Sequence, residues 1–90
     1  MPCAVRICPD HMTKADYEQV IGELEKAHGG EPDGRLYHAA YGADEVHMFE
    51  IWESPEHFED SRITLLAVLQ GVGVGSADVQ IHPLHSEHPD

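Results

Sequence analysis

The segment FEIWESPEHF, residues 49–58, constrains the fold more than any other part of this chain. It predicts a strand over residues 46–53 that runs directly into a capped helix. Ser54 can accept a hydrogen bond from the first free backbone N–H groups of that helix, and Pro55 suits the first helical position because its φ angle is already fixed. The segment therefore sets the order strand then helix, and it places the only tryptophan, Trp52, at the end of the strand.

The other elements are predicted from the spacing of apolar residues and from turn residues. They are a strand over 3–8, a helix from Thr13 to about His28, a strand over 35–41 and a strand over 78–84. We expect the second helix to break near Ile63 and Thr64. The order β-α-β-β-α-β predicts a ferredoxin-like α+β fold, with both helices on one face of a four-stranded antiparallel sheet. The chain is one domain, residues 1–90, with a core over about 3–84 and a polar tail over 85–90.

Pairing of the two central hairpin strands decides which side chains share a face of the sheet. A short turn over residues 42–45 pairs His38 with Phe49 and Tyr37 with Glu50. His38 then lies on the face away from the helices, and both faces are largely apolar. A half-solvated sheet would have one polar face, so we expect a second copy of the chain to cover the open one. The sequence therefore predicts a homodimer.

Composition excludes several classes of partner. Seventeen acidic residues against five basic ones give a net charge of −12, which disfavours binding to nucleic acid and to anionic membranes. No apolar run approaches the roughly 20 residues that a bilayer requires. No basic segment precedes an apolar stretch at the start, so we expect a cytoplasmic protein. Cys3 and Cys8 fit free thiols in a reducing compartment.

The topology, the strand end at residues 49–54 and the helix start at Pro55 resemble the dimeric α/β-barrel superfamily. They are most similar to the small proteins grouped with the antibiotic-biosynthesis monooxygenases. The resemblance covers about residues 3–84, and it implies two sheets packed face to face with a cavity between each sheet and its own helices. It also implies that Trp52 lines this cavity, as the matching aromatic residue does in cofactor-free quinone-forming monooxygenases and in haem-degrading relatives. Those haem-degrading relatives carry a ligating histidine where this chain has Ser61 and Arg62.

Glu50 and His38 are the candidate catalytic residues. A carboxylate beside the Trp52 indole in an apolar pocket can act as a general acid or base. In the alternative interpretation Glu50 is a structural group held by Tyr37 or Arg35. His38 lies among apolar neighbours, where it is either a proton shuttle at the dimer centre or a hydrogen-bonded buried imidazole.

The predicted ligand-binding residues are Trp52, Tyr37, Arg62 and Met48. Arg62 can clamp an anionic substrate, or it can form a surface salt bridge with Glu59. We expect no cofactor. We also expect no metal, because extended backbone would separate the imidazoles of His82, His85 and His88 rather than bring them together.

Three hypotheses follow for the function. The first is a homodimer that binds a small apolar or aromatic molecule between sheet and helices. The second is a cofactor-independent monooxygenase or isomerase for an aromatic or polyketide-like substrate, in which Glu50 or His38 moves a proton and Trp52 stacks on the ring. The third is a structural or regulatory dimer without a ligand.

Overall fold

The computed structural model describes residues 1–85 and has the predicted β-α-β-β-α-β order. Its elements are β1 (Cys3–Pro9), α1 (Lys14–His28), β2 (Arg35–Tyr41), β3 (His47–Trp52), α2 (Pro55–Val72) and β4 (Ala77–Pro83). The strands form one antiparallel sheet in the order β2-β3-β1-β4. The predicted ferredoxin-like α+β fold is confirmed.

The start of α1 is held by a capping box. Thr13 Oγ1 accepts a hydrogen bond from the backbone N–H of Asp16 at 3.1 Å, and the Asp16 carboxylate accepts one from the backbone N–H of Thr13 at 3.2 Å. The helix ends at Gly29, whose φ of 69° is left-handed and whose N–H donates to the carbonyl of Glu25. These two caps fix the ends of α1, and Tyr17 lies one turn into the helix.

The second helix is continuous, so the predicted break near Ile63 and Thr64 is wrong. Ile63 is 78% exposed, whereas Leu65 and Leu69 are buried. A β-branched residue lowers helix propensity only slightly, and burial of the apolar face of α2 outweighs that cost.

The core lies between the sheet and the two helices. Its most deeply buried side chains, each at most 1% exposed, are Val5, Ile7, Met12, Val20, Met48, Trp52, Phe58 and Leu69. Met48, one of the predicted ligand-binding residues, is therefore part of the packed core. The Trp52 ring meets Phe58 edge to face, with centroids 5.6 Å apart, and this contact joins the end of β3 to the start of α2.

The predicted pairing of β2 with β3 is wrong by one residue. His38 pairs with Glu50 and Ala39 pairs with Phe49, because Tyr41 pairs with His47 and the connection between β2 and β3 is one residue longer than predicted. A bulge follows at Leu36, where the register shifts between Arg35 and Tyr37. The two possible registers present similarly apolar faces, so hydrophobic pattern alone cannot choose between them.

The difference of one residue between predicted and observed pairing exchanges the two faces of β2. His38 lies on the helix side with Glu50, not on the open face where it was predicted. Tyr37 lies on the open face, where it is 52% exposed. Its ring and the Phe49 ring are arranged edge to face, with centroids 6.3 Å apart.

We expect Thr13→Ala to lower the free energy of unfolding by about 1 kcal/mol, because it removes the side-chain half of the capping box. Thr13→Ser keeps the hydroxyl acceptor and is the matched control. Urea unfolding of the two variants checks this. Equal losses in both would show that the methyl group, not the cap, carries the effect.

Candidate functional site

A cavity of about 330 Å³ lies between the helices and the β2–β3 half of the sheet. It is bounded by α1, by the loop after α1, by α2 and by four side chains of β2 and β3 that carry polar atoms. Its lining residues are Tyr17, Ile21, Leu24, Glu25, His28, Gly30, Glu31, Pro32, Arg35, His38, Glu50, Trp52, Phe58, Ser61 and Leu65.

Glu50 is the centre of the polar wall of this cavity. Its side chain is only 7% exposed, and both carboxylate oxygens accept hydrogen bonds. The Trp52 indole N–H donates to Oε1 at 2.9 Å, while His38 Nδ1 donates to Oε2 at 2.6 Å. Arg35 Nη1 approaches Oε2 at 3.4 Å. Because all of these partners are donors, the arrangement suits an ionised carboxylate, which only accepts hydrogen bonds.

The bulge in β2 makes this arrangement possible. In a regular strand Arg35 and His38, three residues apart, would point to opposite faces of the sheet. The extra residue at Leu36 reverses the alternation, so both side chains reach Glu50 from the same side.

His38 links Glu50 to a tyrosine of α1. With Nδ1–H donating to Glu50, the neutral imidazole keeps a lone pair on Nε2, so the Tyr17 hydroxyl donates to Nε2 at 2.7 Å. The two rings are parallel within 1°, with centroids 6.1 Å apart. We call Tyr17, His38 and Glu50 the relay.

Burial raises the pKa of Tyr17, and the nearby negative charge of Glu50 acts in the same direction, against the opposing effect of Arg35. Tyr17 therefore remains a protonated phenol near neutral pH and keeps its donor role toward His38.

The relay can move a proton without any rearrangement of its side chains. A carboxylate that orients an imidazole, which in turn accepts a proton from a hydroxyl group, is the order of roles found in nucleophile–base–orienter triads. Here the terminal hydroxyl is a phenol at the wall of the cavity. The arrangement suits general acid–base chemistry on a hydroxyl group bound beside Tyr17.

The structure brings some of the predicted site residues together and separates others. Glu50 and His38 are in direct contact, and Trp52 lines the cavity, although at 1% exposure it acts mainly as a wall and as a donor to Glu50. Tyr37 is on the open face. Arg62 forms its 2.9 Å contact with Glu59 on the surface of α2 and does not line the cavity, in line with the salt-bridge alternative.

Sequence reasoning did not assign Tyr17 or Arg35 to the site. Tyr17 belonged to the apolar stripe of the first helix, and Arg35 was only an alternative partner for Glu50. The available signal was the phenol itself, because a buried tyrosine hydroxyl needs a hydrogen-bond partner. Identifying His38 as that partner required the correct register of β2.

Within residues 1–85, one cluster of three potential metal ligands is present, and it lies outside the cavity. It consists of Asp10, His11 and Glu45, which are all exposed and contact each other through the His11 ring at 2.9 and 3.4 Å. His82 and His85 do not take part in it, and His88 lies outside the described residues.

Solved structures with the same fold include oxygenases. SnoaB, a cofactor-independent oxygenase from Streptomyces nogalater, is 12% identical over 99% of this chain and 96% of its own, with a TM-score of 0.63. The ActVA-Orf6 monooxygenase of Streptomyces coelicolor, solved with nanaomycin D, is 21% identical over 99% and 92%, with a TM-score of 0.58. A de novo designed protein, Foldit4, is 12% identical over 94% and 100%, with a TM-score of 0.67.

This chain has the fold of the antibiotic-biosynthesis-monooxygenase-like proteins. No protein-family model matches the sequence, and no curated protein matches it by sequence similarity. The resemblance therefore concerns the fold, and the chemistry must be argued from the site. Over residues 1–85, neither helix combines the length and the apolar content that crossing a membrane would require.

We expect Glu50→Ala to lower the free energy of unfolding by about 3 kcal/mol or more, because it leaves the His38, Trp52 and Arg35 donors facing a partly buried gap. Glu50→Gln keeps one acceptor oxygen and should cost less. Chemical denaturation of both variants at pH 7 measures the difference. A loss below about 0.5 kcal/mol for the alanine variant would contradict the network described here.

Proposed function

We propose that the cavity binds a small aromatic molecule bearing an acidic hydroxyl group, and that the relay removes the proton of that hydroxyl so that the molecule reacts with molecular oxygen. The observation that carries this proposal is the continuous chain of hydrogen bonds from Tyr17 through His38 to the buried Glu50 at the cavity wall. At about 330 Å³ the cavity lies at the lower end of the range for small-molecule sites, which suits about two or three fused rings.

The proposed proton path begins at Tyr17. A bound hydroxyl donates to the Tyr17 oxygen while the Tyr17 proton passes to His38 Nε2, which is 2.7 Å away. His38 becomes an imidazolium, and the adjacent Glu50 carboxylate stabilises it at 2.6 Å. Because burial raises the pKa of Tyr17, a free phenolate is disfavoured, and the two proton transfers occur together.

Proton removal from the enol form of an aromatic ketone produces a carbanion that can transfer electrons to oxygen. The carbon–oxygen bond that forms gives a peroxide, and loss of water from the peroxide leaves a carbonyl. One oxygen atom enters the product and the other leaves as water, so a CH₂ group and O₂ become a C=O group and H₂O. A cofactor-independent oxygenase and a monooxygenase with this fold support the choice of oxygen as the oxidant.

A second candidate function uses the same relay without oxygen. Return of the proton from the relay to a different atom of the substrate is a keto–enol isomerisation, and the relay contains only acid–base groups. Oxygen uptake separates the two reactions.

We expect the protein to accelerate the conversion of anthrone and oxygen to anthraquinone, measured as oxygen uptake and quinone absorbance. Tyr17→Phe and His38→Asn should each lower kcat by about a hundredfold or more, because each interrupts the proton path. Tyr41→Phe is the matched control, since it removes a tyrosine hydroxyl that lies outside the cavity, 3.3 Å from Arg6.

Two results would contradict the proposal in different ways. Full activity of Tyr17→Phe would remove the relay from the mechanism. Absence of both oxygen uptake and substrate deuterium exchange in the unaltered protein would remove the enzymatic function itself.

The proposed active form is a homodimer in which two open sheet faces pack together. Leu36, Tyr37 and Tyr41 of β2 are 55%, 52% and 44% exposed. Tyr37 pairs with Ile51 of β3 and its ring contacts Phe49, and Tyr41 pairs with His47. A sheet that exposes large apolar side chains opposite its helices is unusual for a monomer of this size, and isologous pairing with a second copy covers it.

We expect light scattering to give about twice the chain mass of 10.0 kDa at micromolar concentration. Tyr37→Glu should shift the protein toward the monomer, because it introduces a charge into the buried centre of the interface. Ile63→Glu is the control, since Ile63 is 78% exposed on α2, away from the open face. A monomeric mass for the unaltered protein would overturn the dimer.

A further inference from the structure

The cavity has an unbalanced set of charged side chains. Its fixed charges are one cation, Arg35, and three carboxylates, Glu25, Glu31 and Glu50. Among the described lining residues Arg35 is the one lysine or arginine side chain. Glu25 lies in the last turn of α1, and Glu31 lies in the loop that follows, so both acids flank the cavity on the side of that loop.

The single cation is already compensated. Arg35 Nη1 is 3.4 Å from Glu50 Oε2, and the two side chains are only 16% and 7% exposed. Because this pair is neutral as a whole, a bound anion would find no uncompensated positive charge beside the relay. It would also face Glu25 and Glu31, within a protein whose net charge is −12.

With an uncharged substrate, the proton transfer proposed above creates one anion and one cation from neutral groups, and this inference rests on that proposed function. A neutral hydroxyl compound becomes an anion as His38 becomes a cation beside Glu50, so total charge in the cavity does not change. A substrate that already carries a carboxylate would place a second negative charge in the same partly enclosed space.

We infer that the site takes an uncharged, hydroxyl-bearing aromatic molecule and discriminates against the carboxylated counterpart of the same size, with Glu25 and Glu31 as the residues that determine this specificity.

The test compares two probes of equal size, 6-hydroxy-2-naphthamide and 6-hydroxy-2-naphthoate, by isothermal titration calorimetry at pH 7 and low ionic strength. We expect the carboxylate to bind on the order of tenfold more weakly than the amide. Higher salt should reduce the difference, because both acids are exposed. In the Glu25→Gln/Glu31→Gln double variant the ratio of the two dissociation constants should approach one.

A matched double variant, Glu18→Gln/Asp44→Asn, removes the same charge at exposed positions outside the cavity and should leave the ratio as in the unaltered protein. Equal binding of the two probes would overturn the charge discrimination while leaving the proposed ligand site intact. If both double variants bring the ratio of the two dissociation constants equally close to one, the role of Glu25 and Glu31 is overturned. If neither probe binds at millimolar concentration, the site and the inference are overturned together.

Discussion

A buried carboxylate in an otherwise apolar sheet is the constraint on which the site depends. Glu50 sits on the helix side of β3, between Val5 of β1 and His38 of β2, where an unpaired charge would cost several kcal/mol. The chain satisfies it with an indole N–H, an imidazole N–H and a guanidinium. Each of these donors is thereby held in one orientation, so the contacts that make Glu50 tolerable also preorganise the cavity wall.

Stability and the proposed chemistry depend on the same atoms. His38 Nδ1 serves Glu50 structurally, and that bond leaves Nε2 available to the Tyr17 hydroxyl. Trp52 closes the core against Phe58 and also donates to Glu50, so its packing and its polar contact cannot be altered independently.

The fold by itself does not select this chemistry. Proteins with the same arrangement of strands and helices include oxygenases and a designed protein, all at low sequence identity. The site of this chain consists of the side chains on the helix side of β2 and β3, together with Tyr17 of α1. Function therefore depends on positions and distances within one cavity, not on resemblance of architecture.

The sequence by itself determined the order of elements and their caps, because these depend on local features such as the Thr13–Asp16 capping box and the Ser54–Pro55 helix start. It also identified Glu50, His38 and Trp52 as candidates. Tertiary structure decided which of them meet. Both faces of β2 are similarly apolar, so the pattern could not specify the register. A longer connection between β2 and β3 placed His38 beside Glu50 and Tyr37 on the other face, and the bulge at Leu36 brought Arg35 to the side of Glu50. Tyr17 and Arg35 joined the site for the same reason: contacts between residues distant in sequence depend on packing and pairing, which local patterns do not encode.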